Sequence, residues 1–148
     1  MSFLRALPSG LIGAVTLNVL HETARRLIPD APHIHVLGMR AIAQSLRSVD
    51  QQPPPRDQLF EAALVGDVVS NALYYSAVGL GKPKHAPRNG ALLGLAAGVG
   101  AVLLPGPLGL GKAPSARTSA TAAMTVAWYL VGGLVSGLAY RMLARRKN

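Results

Sequence analysis

Apolar positions along this chain come in long blocks, and the blocks end where charges or prolines stand. Two stretches, Asn89 to Gly111 and Thr118 to Tyr140, contain no Asp, Glu, Lys or Arg. Each exceeds the roughly 20 helical residues that cross a hydrocarbon core of about 30 Å. Ala6 to His21 is a shorter run whose helical pattern continues to Leu27, and Gln58 to Leu80 is long but carries Glu61 and Asp67. A soluble surface helix needs a polar side recurring every three to four residues. Ala91 to Val102 has none, being Gly, Ala, Val and Leu all round.

The pattern predicts an all-α, polytopic membrane helical bundle. It has four transmembrane helices plus one short interfacial amphipathic helix, in a single integral-membrane domain over residues 1–148. The crossings fall at about 8–27, 57–80, 89–104 and 115–144. Pro8 sits in the opening turn of the first, where its missing N–H costs nothing, and Pro29 and Pro32 end it. No small-x-small cleavage site follows that run, so it is a retained helix rather than a signal peptide. Over 36–49, Met39, Ile42, Ala43, Leu46 and Val49 share one side while Arg40, Gln44 and Arg47 line the other. This stretch is too short and too charged to cross. It suits the headgroup region, with Arg40 and Arg47 toward anionic lipid headgroups; packing against the rest of the protein is the alternative. Pro53, Pro54 and Pro55 make a stiff spacer, and Asp57 is an acceptable N-cap for the second crossing. Pro105 and Pro107 stop the third at Leu104, short for a bilayer.

Composition sharpens this picture. Charged residues are 14% of the chain, against about 25% in soluble domains, and 148 residues cannot wrap a soluble shell around two wholly apolar helices. The net charge of +9 comes from cations flanking the crossings. They are scattered rather than gathered on one soluble face, which argues against a nucleic-acid partner. Arg141, Arg145, Arg146 and Lys147 crowd one helix end, favouring both termini in the cytoplasm. With no Cys, thiol catalysis, Cys-ligated zinc and iron–sulfur clusters are excluded. Gly106 to Ala113 approaches a phosphate-binding loop, but Ala113 stands where Ser or Thr must reach Mg²⁺. No cofactor is expected, and no standard catalytic motif occurs.

Helices in lipid associate through close packing and a few polar contacts. Gly90, Gly94 and Gly98 recur every four residues, forming a ridge that a neighbour can approach, and Gly133 with Gly137 offers the same on the fourth crossing. The ridge can meet the fourth crossing or another copy of the chain.

Asp67, near the middle of the second crossing, carries the candidate chemistry. A central Asp costs roughly 2.5–3.5 kcal/mol on insertion, and each Leu, Val or Phe returns about 0.3–0.6. A carboxylate there therefore needs a partner or water. Ser70, Asn71 and Tyr74 share its face, and the first crossing offers Asn18, His21, Glu22 and Arg25 along one side. Joined, these eight residues form a polar seam between the first two crossings, in which His21 is the group that ordinarily titrates near neutral pH. The plain alternative pairs Glu22 with Arg26 at i+4 as a helix-end ion pair. His33 and His35, two apart, are a weak possibility for a metal site at the membrane surface. The expected function is binding or conduction of a small solute, ion or proton along the seam, without an enzymatic reaction. Four short helices enclose little room, which favours a homo-oligomer. A structural or assembly subunit among partner membrane subunits is the alternative, and a membrane enzyme acting on lipid is the third.

Overall fold

The structure is a computed structural model that describes residues 3–145; the Arg146 and Lys147 part of the basic tail lies outside them. Five α-helices, α1 (Phe3–Leu27), α2 (Ile34–Arg47), α3 (Arg56–Tyr75), α4 (Ala86–Leu103) and α5 (Ser119–Arg145), make up the chain, with no strand among the described residues. A 3-10 helix, Ser76–Leu80, continues α3. Three segments are long and apolar enough to cross a membrane: Phe3–Leu27, Arg56–Leu80 and Ser119–Arg145. Many outward residues of all four long helices are also apolar. They include Leu11 and Val15 on α1, Val65 and Val69 on α3, Leu92 and Leu95 on α4, and Leu134 and Leu138 on α5.

Several helix limits differ from the expected ones, each for a local reason. α1 begins at Phe3, so Pro8 lies within the helix rather than in its first turn. Asp57 does not cap α3; Pro55 occupies the cap position and Asp57 sits in the first turn, where its charge suits the helix dipole. α4 starts early because Pro87 is pre-shaped for a first turn. α5 starts at Ser119 rather than near Ser115, because Thr118 Oγ1 accepts the Thr121 N–H at 3.0 Å and caps the helix there. Ser115 instead donates its hydroxyl to Ala101 O at 2.5 Å, and Thr125 donates to Ser115 O at 2.7 Å, pinning the preceding loop between α4 and α5.

Neighbouring long helices run antiparallel, with α1 packed between α3 and α5, and α5 between α1 and α4. Close approach is built on glycine. A Cβ at Gly10 would overlap Ala72 O and Ser76 Oγ of the α3 segment, and one at Gly13 would lie 2.5 Å from Gly132 O of α5. The α4 ridge is spent inside the chain. Gly90 meets Gly133 and Gly137, Gly94 meets Tyr129 and Leu130, and Gly98 meets Val126. Across these tight seams hydroxyls donate to backbone carbonyls: Tyr75 to Tyr129 O at 2.8 Å, Ser136 to Tyr75 O at 3.3 Å, and Thr121 to Asp30 O at 2.7 Å.

The fourth side of the ring stays open, because α3 and α4 scarcely touch. α2 packs along α3 beside that opening. Its Ile34 and Leu37 are buried in the cluster that holds Leu17, Tyr75 and Tyr129, with Ala97 and Ala101 of α4 against it. A Cβ at Gly38 of α2 would come within 3.1 Å of Ala63 Cβ, so that helix sits close along α3. Its polar side is held too, since Arg40 Nη1 donates to Leu110 O at 3.0 Å and to Lys112 O at 2.8 Å. Gly109 and Gly111, both with positive φ (74° and 77°), let that turn double back to meet it.

Candidate functional site: a polar seam in a cavity

The gap between α3 and α4 is a cavity of about 740 Å³ within one chain, walled also by α1 and α2. The small residues Gly66 of α3 and Ala97, Gly100 and Ala101 of α4 form part of its wall. The sequence suggested too little room for this. Periodicity gave α2 an apolar side without revealing that the side walls a cavity between α3 and α4.

All eight residues of the expected seam line this cavity: Asn18, His21, Glu22 and Arg25 from α1, and Asp67, Ser70, Asn71 and Tyr74 from α3. They do not act as one network. Asp67 is held by two amides. Asn18 Nδ2 donates to Oδ2 across the α1–α3 seam at 2.7 Å, and Asn71 Nδ2 donates to Oδ1 from the same helix at 2.9 Å. Both carboxylate oxygens are thus partnered without any cation, which offsets much of the cost of placing the group in an apolar setting. Ser70 donates to Asp67 O at 3.2 Å. Tyr74 reaches over the gap and donates to Leu93 O at 3.0 Å, a hydrogen bond tying α3 to α4.

Nearer the α2 end, Glu22 and Arg25 satisfy each other through two hydrogen bonds of 3.2 and 2.5 Å. The i+4 pairing of Glu22 with Arg26 is the lesser one, at 4.0 Å and with Arg26 mostly exposed. Both spacings are open to a helical pair, and Phe60 favours Arg25: its ring lies 5.7 Å below that guanidinium. His35 of α2 packs edge-on against Phe60 at 5.3 Å, so Phe60 of α3 joins Arg25 of α1 to His35 of α2 at the cavity mouth, which those two residues line. Burial and the nearby Arg25 hold the His35 imidazole below its ordinary pKa.

His21 stands apart. Only 7% of its surface is exposed, it stacks edge-on against Tyr129 at 5.7 Å, and neither ring nitrogen finds a hydrogen-bond partner among the described residues. Such a group costs about 1–3 kcal/mol unless something supplies the missing bond. His33 and His35 lie 5.5 Å apart, but no group of three His, Cys, Asp or Glu able to hold a metal ion occurs among the described residues.

Sequence reasoning missed three contributors to this site. Tyr129 backs His21 from α5, Phe60 clasps the mouth, and His35 belongs to the cavity rather than to a surface pair with His33. The two aromatics had no polar periodicity to betray them. His35 could have been found from its i, i+3 and i+7 relation to Gly38 and Ile42, which line the same wall. The chain matches no protein-family model, and neither a curated protein nor a solved structure matches it significantly.

Proposed function

We propose that this protein is an integral-membrane bundle of four crossings that binds a small, largely apolar molecule in the cavity. In this reading the polar seam lines the site and His21, whose ring nitrogens are covered in the structure, turns to give that molecule a hydrogen bond. α4 serves as the fourth crossing; its 18 residues rise about 27 Å, close to a hydrocarbon thickness, and α2 lies at headgroup level.

The observation that carries this reading is the buried, unpartnered imidazole on the wall of a cavity. A volume of about 740 Å³ is in the range of small-molecule sites, which are apolar pockets with a few placed polar groups. Asp67, Glu22 and Arg25 are already paired, so a neutral ligand with a hydroxyl or carbonyl group suits His21 better than an ion does. Binding is favoured over conduction because the seam is blind. Beyond Tyr74, Tyr75, Ser76 and Val78 are fully buried and Gly10 closes against Ala72 and Ser76. The α4 ridge faces α5 of the same chain, so it does not carry the assembly reading.

The full chain, purified in gentle detergent, is extracted and its small molecules identified by mass spectrometry. One species above the detergent background is expected at near-stoichiometric amount, and it should fall at least tenfold in His21→Phe, which keeps the ring and removes both nitrogens. Equal retention by wild type and His21→Phe, with both folded by circular dichroism, defeats the proposal. So does a wild-type extract with nothing bound that also takes up none of the neutral membrane lipids added back.

A further inference from the structure

A second recess lies outside the central cavity, at the end of the bundle where α1 finishes and α3 and α5 begin. It is an open groove of about 640 Å³ between α2, the first turns of α3 and the turn 109–112. Four cations line it, Arg40, Arg47, Arg56 and Lys112, and no acidic residue lines it among the described residues. They come from three separate segments, so the fold rather than a run of sequence gathers them. Between them the wall is apolar, with Met39 of α2 and Leu59 of α3.

We propose that this groove holds the headgroup of an anionic phospholipid, independently of what the central cavity binds. Its height fits. Arg56 is the first residue of α3, whose segment is long and apolar enough to cross a membrane, and the ends of crossings mark the level of lipid headgroups. The charge fits as well, since guanidinium groups grip phosphate oxygens through paired hydrogen bonds. Arg40 is braced by Leu110 O and Lys112 O through Nη1 alone, which fixes the guanidinium at the groove wall and leaves its other nitrogens to a ligand. Arg47 and Arg56 make no side-chain hydrogen bond among the described residues. The apolar wall separates a lipid from free phosphate: Met39 and Leu59 offer surface to the glycerol backbone and first methylenes of an acyl chain, and phosphate has nothing to place there.

Native mass spectrometry of the full chain in neutral detergent tests this with phosphatidylglycerol, phosphatidylcholine and inorganic phosphate as probes. Phosphatidylglycerol is expected to bind at least tenfold more tightly than phosphatidylcholine. The preference should vanish in Arg47→Gln/Arg56→Gln, which spares the Arg40 brace, and inorganic phosphate should not displace the lipid. If the double variant fails to fold, Arg47→Gln alone is expected to weaken phosphatidylglycerol several-fold. The proposal is overturned if the two lipids bind alike or if folded variants keep the preference. It is overturned equally if inorganic phosphate competes at a concentration equal to that of the lipid, which would make the groove a site for free anions.

Discussion

Adding one methyl group at Gly94 and one at Gly66 should move stability in opposite directions. Both glycines are within helices, so alanine gains about 0.5–1 kcal/mol of backbone preference at each. At Gly66, on the cavity wall, a new Cβ meets nothing within 4 Å, and the gain stands. At Gly94 the same atom would overlap Tyr129 O and sit 2.8 Å from Leu130 Cα and 3.0 Å from the Tyr129 carbonyl carbon. Every one of these atoms is backbone of α5, so no rotamer change relieves the clash and α4 must move outward as a unit. Overpacking of this kind costs typically 1–3 kcal/mol. A clash against backbone belongs at the upper end, and opening a packed seam by 0.5–1 Å forfeits a quarter to a half of each contact along it.

Taking about 3 kcal/mol for the clash and about 1 for the helix gain leaves Gly94→Ala destabilised by about 2 kcal/mol. Gly66→Ala is stabilised by about 0.5–1 kcal/mol, a contrast between the two of nearly 3. Reversible unfolding of the detergent-solubilised chain by denaturant can measure it. Trp128, the sole tryptophan, packs from α5 against the main core cluster and supplies the fluorescence signal. If Gly94→Ala proves as stable as Gly66→Ala, the glycine ridge is not the contact that sets the α4–α5 distance, and the packing described above is wrong.

Two further outcomes follow from the seam and its mouth. Asn18→Leu should cost about 1–3 kcal/mol by leaving Asp67 Oδ2 unpartnered, while adding Asp67→Leu should recover part of that loss because both ends of the hydrogen bond are then gone. A double-mutant cycle in micelles measures this, and strict additivity would show that the 2.7 Å bond contributes nothing. At the mouth, the lowered pKa of His35 comes first from burial, then from Arg25, His33 and Arg56, with Glu22 opposing them. The unfolded chain therefore binds its proton more readily. The stability of the neutral form is complete above the ordinary value of 6.5 and is lost as pH falls through the folded value. Thermal unfolding at pH 8 and pH 5 should show wild type losing more than His35→Gln; an equal loss in both refutes the assignment.

The Asp67 cluster was legible because membrane energetics and helix spacing constrain it together. An uncompensated carboxyl is expensive in an apolar helix, and Asn71 one turn on shares its face. Asn18 required one more assumption, that the first two apolar blocks lie side by side, as consecutive elements usually do. The glycine ridge was equally readable as a contact surface, since residues without side chains in apolar helices serve close approach. Its partner was not readable, because α5 of the same chain and a second copy would present the same small residues.

What escaped the sequence was the role of α2. An amphipathic helix with arginines along one side satisfies the same pattern whether it floats among headgroups or is wedged into the bundle. The pattern records which side is apolar and says nothing about what covers it. In the fold, Ile34 and Leu37 enter the central cluster while Arg40 ties down the loop after α4. The α2 helix therefore has one structural consequence on each face. Its buried face packs along α3 and supplies one wall of the cavity that gathers the seam. Its basic face, joined by Arg56 and Lys112, forms the outer groove. A single 14-residue helix thus shapes both recesses. The seam residues line a site because α3 and α4 scarcely touch there, and this helix supplies a further wall of the gap.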